Sequence, residues 1–160
     1  MPLIDMPAGA DLFDTDALAL VNTVNCVGVM GKGVALGVKQ RWPSVYRVYR
    51  NACQHNEVAI GSILMTIVEE PLPANSAGPI YVLNLPTKIH WRNPSQLAWI
   101  DTGLTALRQV IINMKLDSVA LPPPGCGNGG LAWSDVEPLI ITHLADLDAD
   151  IEVYRPAGQP

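Results

Sequence analysis

Residues 17–42 read ALALVNTVNCVGVMGKGVALGVKQRW, and this stretch decides the fold. The apolar run Ala17–Asn22 has the length and continuity of a buried strand. It enters a polar turn over Thr23–Gly33, and Val34–Trp42 then repeats its apolar residues at helical spacing. The helix is expected to stop before Pro43, because a proline ring disfavours helical backbone in the residue ahead of it. Strand, glycine-rich turn and helix in succession are the opening of a layered α/β unit.

The rest of the chain repeats that alternation. Pro43–His55 reads as a second helix with Tyr46, Val48 and Tyr49 as apolar contacts. Ser62–Val68 and Ile80–Leu85 read as strands, apolar and β-branched enough for burial on both faces, with a loop over Glu69–Pro79 between them. Ser95 is the expected N-cap of a helix over Gln96–Met114, whose Leu97, Ile100, Leu104, Leu107 and Ile111 recur at spacings of three and four. Ser118–Pro122 is a short strand, Ser134 caps a helix reaching Leu144, and Ile151–Tyr154 is a last strand. The expectation is an α/β fold with a largely parallel sheet. In such sheets ligands sit outside the carboxyl ends of the strands. Asn22–Gly33, Pro86–Arg92 and Pro123–Gly130, the chain's most unusual segments, each follow a strand.

The 160 residues suit one domain, large enough to bury its own core without staples. No apolar run is long enough to span a bilayer, and the first ten residues lack the pattern of a signal peptide. Three cysteines, Cys26, Cys53 and Cys126, form no CxxC pair and suit a reducing cytoplasm. No metal-ligand spacing joins them to His55, His90 or His143, so no metal or other cofactor is expected. Fifteen acidic against ten basic residues give a net charge of −5. That argues against a general polyanion binder working through a basic face. Local phosphate binding stays open, because backbone amides can supply it.

Two loops carry that possibility. In the first, Gly28, Gly31 and Gly33 fall within six residues at the opening of a helix, with Lys32 and Val34 beside them. Such a segment lets the backbone approach an anion and aim amides at it. Asn22 and Asn25 carry both donors and acceptors, which suits ribose hydroxyls. A plain strand-to-helix turn capped by asparagines would look similar. The loop is neither a Walker loop nor a GxGxxG fingerprint, which disfavours an ATPase or a nicotinamide dehydrogenase. The second loop, Gly125-Cys126-Gly127-Asn128-Gly129-Gly130-Leu131, has four glycines in six positions. Each costs roughly 0.5–1 kcal/mol on folding relative to alanine, more than a purely structural turn calls for. Two such loops at two strand ends suit a diphosphate gripped from both sides. Trp91, flanked by His90 and Arg92, is the candidate to stack on a nucleic-acid base.

Asp11-Leu12, VNTVN at 21–25, GxxGKGVA at 28–35 and PxxGCGNGGLAW at 122–133 together resemble the macrodomain family across nearly the whole chain. The LPTKIHW segment, Leu85–Trp91, is most similar to the DNA ADP-ribosyl glycohydrolase antitoxins, a branch akin to the human terminal ADP-ribose glycohydrolase. The resemblance implies a three-layer α/β/α sandwich around a mixed, mostly parallel sheet, with residues 1–160 a single macrodomain at the N-terminal end of a longer antitoxin. It implies ADP-ribose as ligand, with Asp11 at the adenine amino group, Tyr154 against the adenine, the glycine loops on the diphosphate, Asn25 near the distal ribose, and Leu12 and Thr87 beside the ligand. It implies Lys88 as the catalytic residue, removing ADP-ribose from thymidine in single-stranded DNA and so reversing a DarT-type toxin, the cognate partner.

The amine chemistry is reasonable for Lys88, since a desolvated lysine can lose its proton and act as base or nucleophile toward the anomeric carbon. His90 could assist proton transfer. At the place of Gly129 the human relative carries an acidic residue, so its two-residue mechanism does not transfer whole. A non-catalytic ADP-ribose reader and a glycohydrolase acting on modified protein carboxylates are the alternatives.

Overall fold

A computed structural model describes residues 3–68 and 78–158. In chain order the elements are β1 (Leu3–Asp5), a 3-10 turn (Leu12–Asp14), β2 (Ala19–Asn25), α1 (Gly33–Arg41), α2 (Pro43–Gln54), β3 (Leu64–Ile67), β4 (Tyr81–Lys88), α3 (Leu97–Met114), β5 (Ser118–Leu121), α4 (Trp133–Leu144) and β6 (Asp150–Val153). The sheet runs β1-β6-β5-β2-β4-β3. Every pairing is parallel except β3 on β4.

Strand alternation sorts the core into two halves. Ala19 and Val21 of β2 pack toward Ile100, Leu104, Trp133 and Ile140 of α3 and α4. Leu20 and Val24 pack on the opposite face, with Val38 of α1 and Val45 and Tyr49 of α2. The fold is therefore the expected three layers around a mixed, mostly parallel sheet, with β2 central and buried on both faces.

Several boundaries differ from the expectation, each for a local reason. β2 continues past Asn22 to Asn25, because β4 accompanies it to Lys88, with a register shift between Val24 and Asn25. β4 runs through Pro86, which looked like a strand end. Pairing with β3 stops at Asn84, so Pro86 meets β2 on one side only and needs no amide toward the other. β3 is an edge strand, not a strand buried on both faces: Met65 and Ile67 are 41% and 56% exposed. Of the expected loop over Glu69–Pro79, residues 69–77 lie outside the described residues. Neither expected serine cap forms. α3 starts after Gln96 and α4 after Ala132, leaving Ser134 inside the first turn of α4. No described helix is long and apolar enough to cross a membrane.

Candidate functional site: a cleft at the carboxyl ends of the central strands

β2, β4 and β5 are adjacent and parallel, so the loops that leave them converge. Between those loops lies a cleft of about 570 Å³. Its wall includes Asn25 and Gly31–Val34 from the first loop, Thr87, Lys88, Trp91 and Arg92 after β4, and Gly125, Gly127, Asn128 and Gly129 after β5. The loops nearly touch: a Cβ at Gly33 would stand 3.3 Å from the Asn128 side-chain nitrogen.

The first loop is held open by Asn25. Its Oδ1 accepts from the amides of Val27 (3.1 Å), Gly28 (3.1 Å) and Val29 (3.3 Å), and its Nδ2 donates to the Val29 carbonyl (2.8 Å). The chain then enters α1 with Lys32 as an N-cap that makes no side-chain hydrogen bond. Among the described residues, no partner meets the amides of Gly31 through Ala35. Unpaired donors at a helix start, on the positive end of its dipole, attract an anion.

The second loop achieves the same by turning its carbonyls inward. The carbonyls of Gly125, Gly127 and Gly129 accept from the amides of Leu131, Gly130 and Ser95. The amides of Gly127, Asn128 and Gly129 have no partner among the described residues. Gly125 and Gly130 have φ of +76° and +80°, which a side chain would strain. Gly129 is constrained by space: a Cβ there would lie 2.3 Å from the Gly125 carbonyl oxygen. No carboxylate can stand at that position in this loop. Ser95, expected as a cap, instead ties the loops together. Its hydroxyl donates to the Thr87 carbonyl (2.5 Å) and its amide to that of Gly129 (2.9 Å). The Cys26 amide likewise donates to the Ile89 carbonyl (3.0 Å), joining the first loop to the segment after β4.

Lys88 is the last residue of β4 and the register partner of Asn25. Its Nζ donates to the Trp91 carbonyl at 3.2 Å. Burial, and then the Lys32 ammonium, hold its amine below lysine's ordinary pKa. Lys32, Lys88 and Arg92 line the cleft with no carboxylate among the described lining residues. A chain of net charge −5 thus presents a locally cationic pocket. Beside it the Arg92 guanidinium lies 4.8 Å over the Trp91 ring, and the His90 and Trp91 ring centroids are 5.3 Å apart.

Other expected site residues do not reach the wall. Asn22 is fully buried and donates to Asn84 (3.0 Å), because strand alternation puts it with Leu20 under the helices. Asp11 accepts from the Phe13 amide to cap the 3-10 turn, and Leu12 is buried in the core. Tyr154 is buried, with its hydroxyl on Glu152, and burial together with that carboxylate pushes its pKa up to about 12. Gly28 turns toward Cys53 and Arg50 of α2. Gly130 and Leu131 close the second loop through their amides. The Cys126 side chain is buried in the α3–α4 half of the core, and burial pushes its thiol up to about 11, an inert group. His90 lies outside the wall, and its Nδ1 accepts from the Arg92 amide. Thr23, Val24, Val29, Ala35, Pro122 and Pro123 also line the cleft; they lie within the VNTVN, GxxGKGVA and PxxGCGNGGLAW motifs but are not among the expected ligand residues.

Comparison with known proteins matches this arrangement. The Macro domain model matches residues 21–140. The chain is 49% identical over 149 residues to a DNA ADP-ribosyl glycohydrolase of Mycobacterium tuberculosis, covering 92% of this chain and 41% of the relative. It is 37% identical over 159 residues to a DNA ADP-ribosyl transferase-DNA ADP-ribosyl glycohydrolase fusion protein of Thermosipho africanus, covering 91% and 40%. The chain thus spans about two-fifths of the length of the curated relatives it matches. The solved macrodomain of Mycobacterium tuberculosis DarG superposes with a TM-score of 0.89 at 46% identity, covering 96% of this chain and 99% of that one. Thermosipho africanus DarTG in complex with ADP-ribose superposes with a TM-score of 0.85 at 36% identity, covering 94% and 41%. With the matched residues running from the strand that carries Asn25 to the helix beyond the second glycine loop, the chain belongs to the macrodomain family, in the group of the DarG macrodomains.

Proposed function

We propose that the cleft binds ADP-ribose and that the chain hydrolytically removes it from ADP-ribosylated single-stranded DNA, at thymidine, reversing a DarT-type modification. The observation that carries this reading is the pairing of two unpartnered amide runs, Gly31–Ala35 and Gly127–Gly129, on the walls of one carboxylate-free cleft. Amides in that arrangement suit the two phosphates of a diphosphate, and the half-buried Lys88 stands on the same wall. The names of the relatives, one with ADP-ribose bound and one fused to a transferase, support the ligand, the DNA substrate and the toxin as partner.

In this reading Lys88 acts at the anomeric carbon of the distal ribose. As a nucleophile its Nζ lone pair bonds that carbon while the bond to the base nitrogen breaks. The electron pair leaves with the base, which takes the proton released from Nζ. Water then hydrolyses the lysine–sugar adduct and returns the amine. As a base, Lys88 takes a proton from the attacking water and its ammonium passes one to the departing base. Its lowered pKa serves both routes, because each begins from the neutral amine. Trp91, exposed and lining the cleft, offers ring surface on which a neighbouring DNA base stacks, with the Arg92 guanidinium and the His90 ring beside it.

The deciding experiment assays release of ADP-ribose from modified single-stranded DNA and from carboxylate-modified protein side by side. Release from DNA is expected to dominate. Release only from protein transfers the substrate to carboxylate esters, and tight ADP-ribose binding with no release from either makes the chain a reader.

A further inference from the structure

Tyr49, a wholly buried residue of α2, stands behind the cleft and is no part of its wall. Its hydroxyl oxygen lies 2.7 Å from the Asn25 carbonyl oxygen and 2.8 Å from Asn25 Oδ1. The same Oδ1 already accepts three amides, which fill its lone pairs, and the phenol's one proton is shared between it and the backbone carbonyl. One Nδ2 hydrogen is taken by the Val29 carbonyl. The second Nδ2 hydrogen is then all that Asn25 has to offer a ligand, and Asn25 lines the cleft in register with Lys88. A side-chain amide can ordinarily present either a donor or an acceptor by turning over; this one cannot turn.

The geometry points to Tyr49 as a positioning residue: its hydroxyl, bridging the Asn25 backbone carbonyl and Oδ1, completes the set of donors that keeps the Asn25 amide oriented so that a hydrogen-bond donor, and not an acceptor, stands beside Lys88. The group it would orient is an acceptor such as a ribose hydroxyl oxygen at the reacting end of the ligand. The inference rests on the reading of the cleft as an ADP-ribose site. Burial pushes the Tyr49 phenol far above its ordinary pKa, so it remains a donor throughout the working range.

The consequence is a split between turnover and binding. The phosphates would be held by amides elsewhere in the cleft, whereas the alignment of the anomeric carbon with Lys88 would depend on Asn25. Misplacement of about 1 Å at a reacting centre can cost on the order of 100-fold in rate. Tyr49→Phe keeps the ring in the core and removes only the oxygen.

The test uses the full chain with an ADP-ribosylated single-stranded oligonucleotide for kcat and KM, and calorimetry with free ADP-ribose for Kd. Tyr49→Phe is expected to lower kcat about tenfold while Kd moves less than about threefold. Adding Tyr49→Phe to Asn25→Ala is expected to cost less than about twofold more, because both changes break one unit. A mere packing role predicts instead that the two losses multiply. Should Asn25→Ala fail to fold, amide exchange by NMR serves in its place: Tyr49→Phe is expected to speed exchange at Val27, Gly28 and Val29. A kcat equal to wild type, multiplying losses, or unchanged exchange at those amides each overturns the positioning role while the cleft reading stands. A wild-type chain that neither binds ADP-ribose nor releases it overturns the cleft reading, and this inference with it.

Discussion

Lys88 presents an amine whose proton is loosened by burial and by a second lysine, Lys32, on the same cleft wall. If it performs the chemistry, Lys88→Ala is expected to keep ADP-ribose affinity within a few fold while turnover falls by about 10²–10⁴. Lys88→Arg is expected not to rescue, since a guanidinium stays protonated. Turnover equal to wild type in the alanine variant would remove Lys88 from the mechanism. The pH dependence follows from the sign of the shift. The reactive form is the neutral amine, so kcat rises with pH through a limb lying below lysine's usual value of about 10.4. Lys32→Ala removes a neighbouring positive charge, restores proton affinity to Lys88 and is expected to move that limb to higher pH. A limb that stays in place in a kcat–pH profile would separate the two lysines. The place of Lys88 on the cleft wall was legible because it closes an apolar strand within the distinctive LPTKIHW run. Asn22 was misread because both asparagines of VNTVN look alike as letters. A period of two, counted from the buried Leu20, puts Asn22 under the helices, whereas the register shift after Val24 releases Asn25 to the cleft.

Among the elements, the second glycine loop separates conformational from functional demand at neighbouring positions. A Cβ at Gly127 meets nothing within 4 Å, while one at Gly129 would strike the Gly125 carbonyl. Gly127→Val is therefore expected to fold normally and to lose ADP-ribose affinity sharply, since its branched side chain would fill the approach to the amides. Gly129→Ala is expected to lower the melting temperature, by the equivalent of about 1–3 kcal/mol of overpacking, before any ligand is added. Calorimetric titration and thermal melts on both variants check the contrast, and equal behaviour of the two would refute it. Composition revealed that the loop was unusual but not which glycine served which end, because a string of glycines carries no record of where Cβ atoms would point. The helix starts were misplaced for a related reason. Ser95 had the right residue type for a cap, yet a carbonyl eight residues earlier in the chain claimed its hydroxyl. Such long-range competition leaves no local trace.

For the whole molecule, the strand–helix alternation carried the α/β architecture and the parallel centre of the sheet. It missed β1, three residues long, and the edge character of β3, both of which depend on neighbours distant in sequence. Because the cleft is built by three loops of the folded sheet, its ligand must bind the native state far better than the unfolded chain. ADP-ribose at a hundred times its Kd is expected to add about 2.7 kcal/mol of stability. For a domain of this size that corresponds to a rise of roughly 5–11 °C in melting temperature. Differential scanning fluorimetry measures it directly, and no shift at millimolar ligand would remove ADP-ribose from the cleft.

The central place of β2 has a consequence for how the molecule is made. β2 is made before both of its flanking partners, β4 and β5, and β5 spans Ser118–Leu121. At translation speeds of about 5–20 residues per second, the segment from Asn25 to Leu121 takes roughly 5–20 s to synthesise. Throughout that interval the first glycine loop lacks the second one opposite it. A cleft walled by both loops is complete only once β5 and the loop after it are in place, so no occupant of that cleft can guide the earlier pairing of β2 with β4.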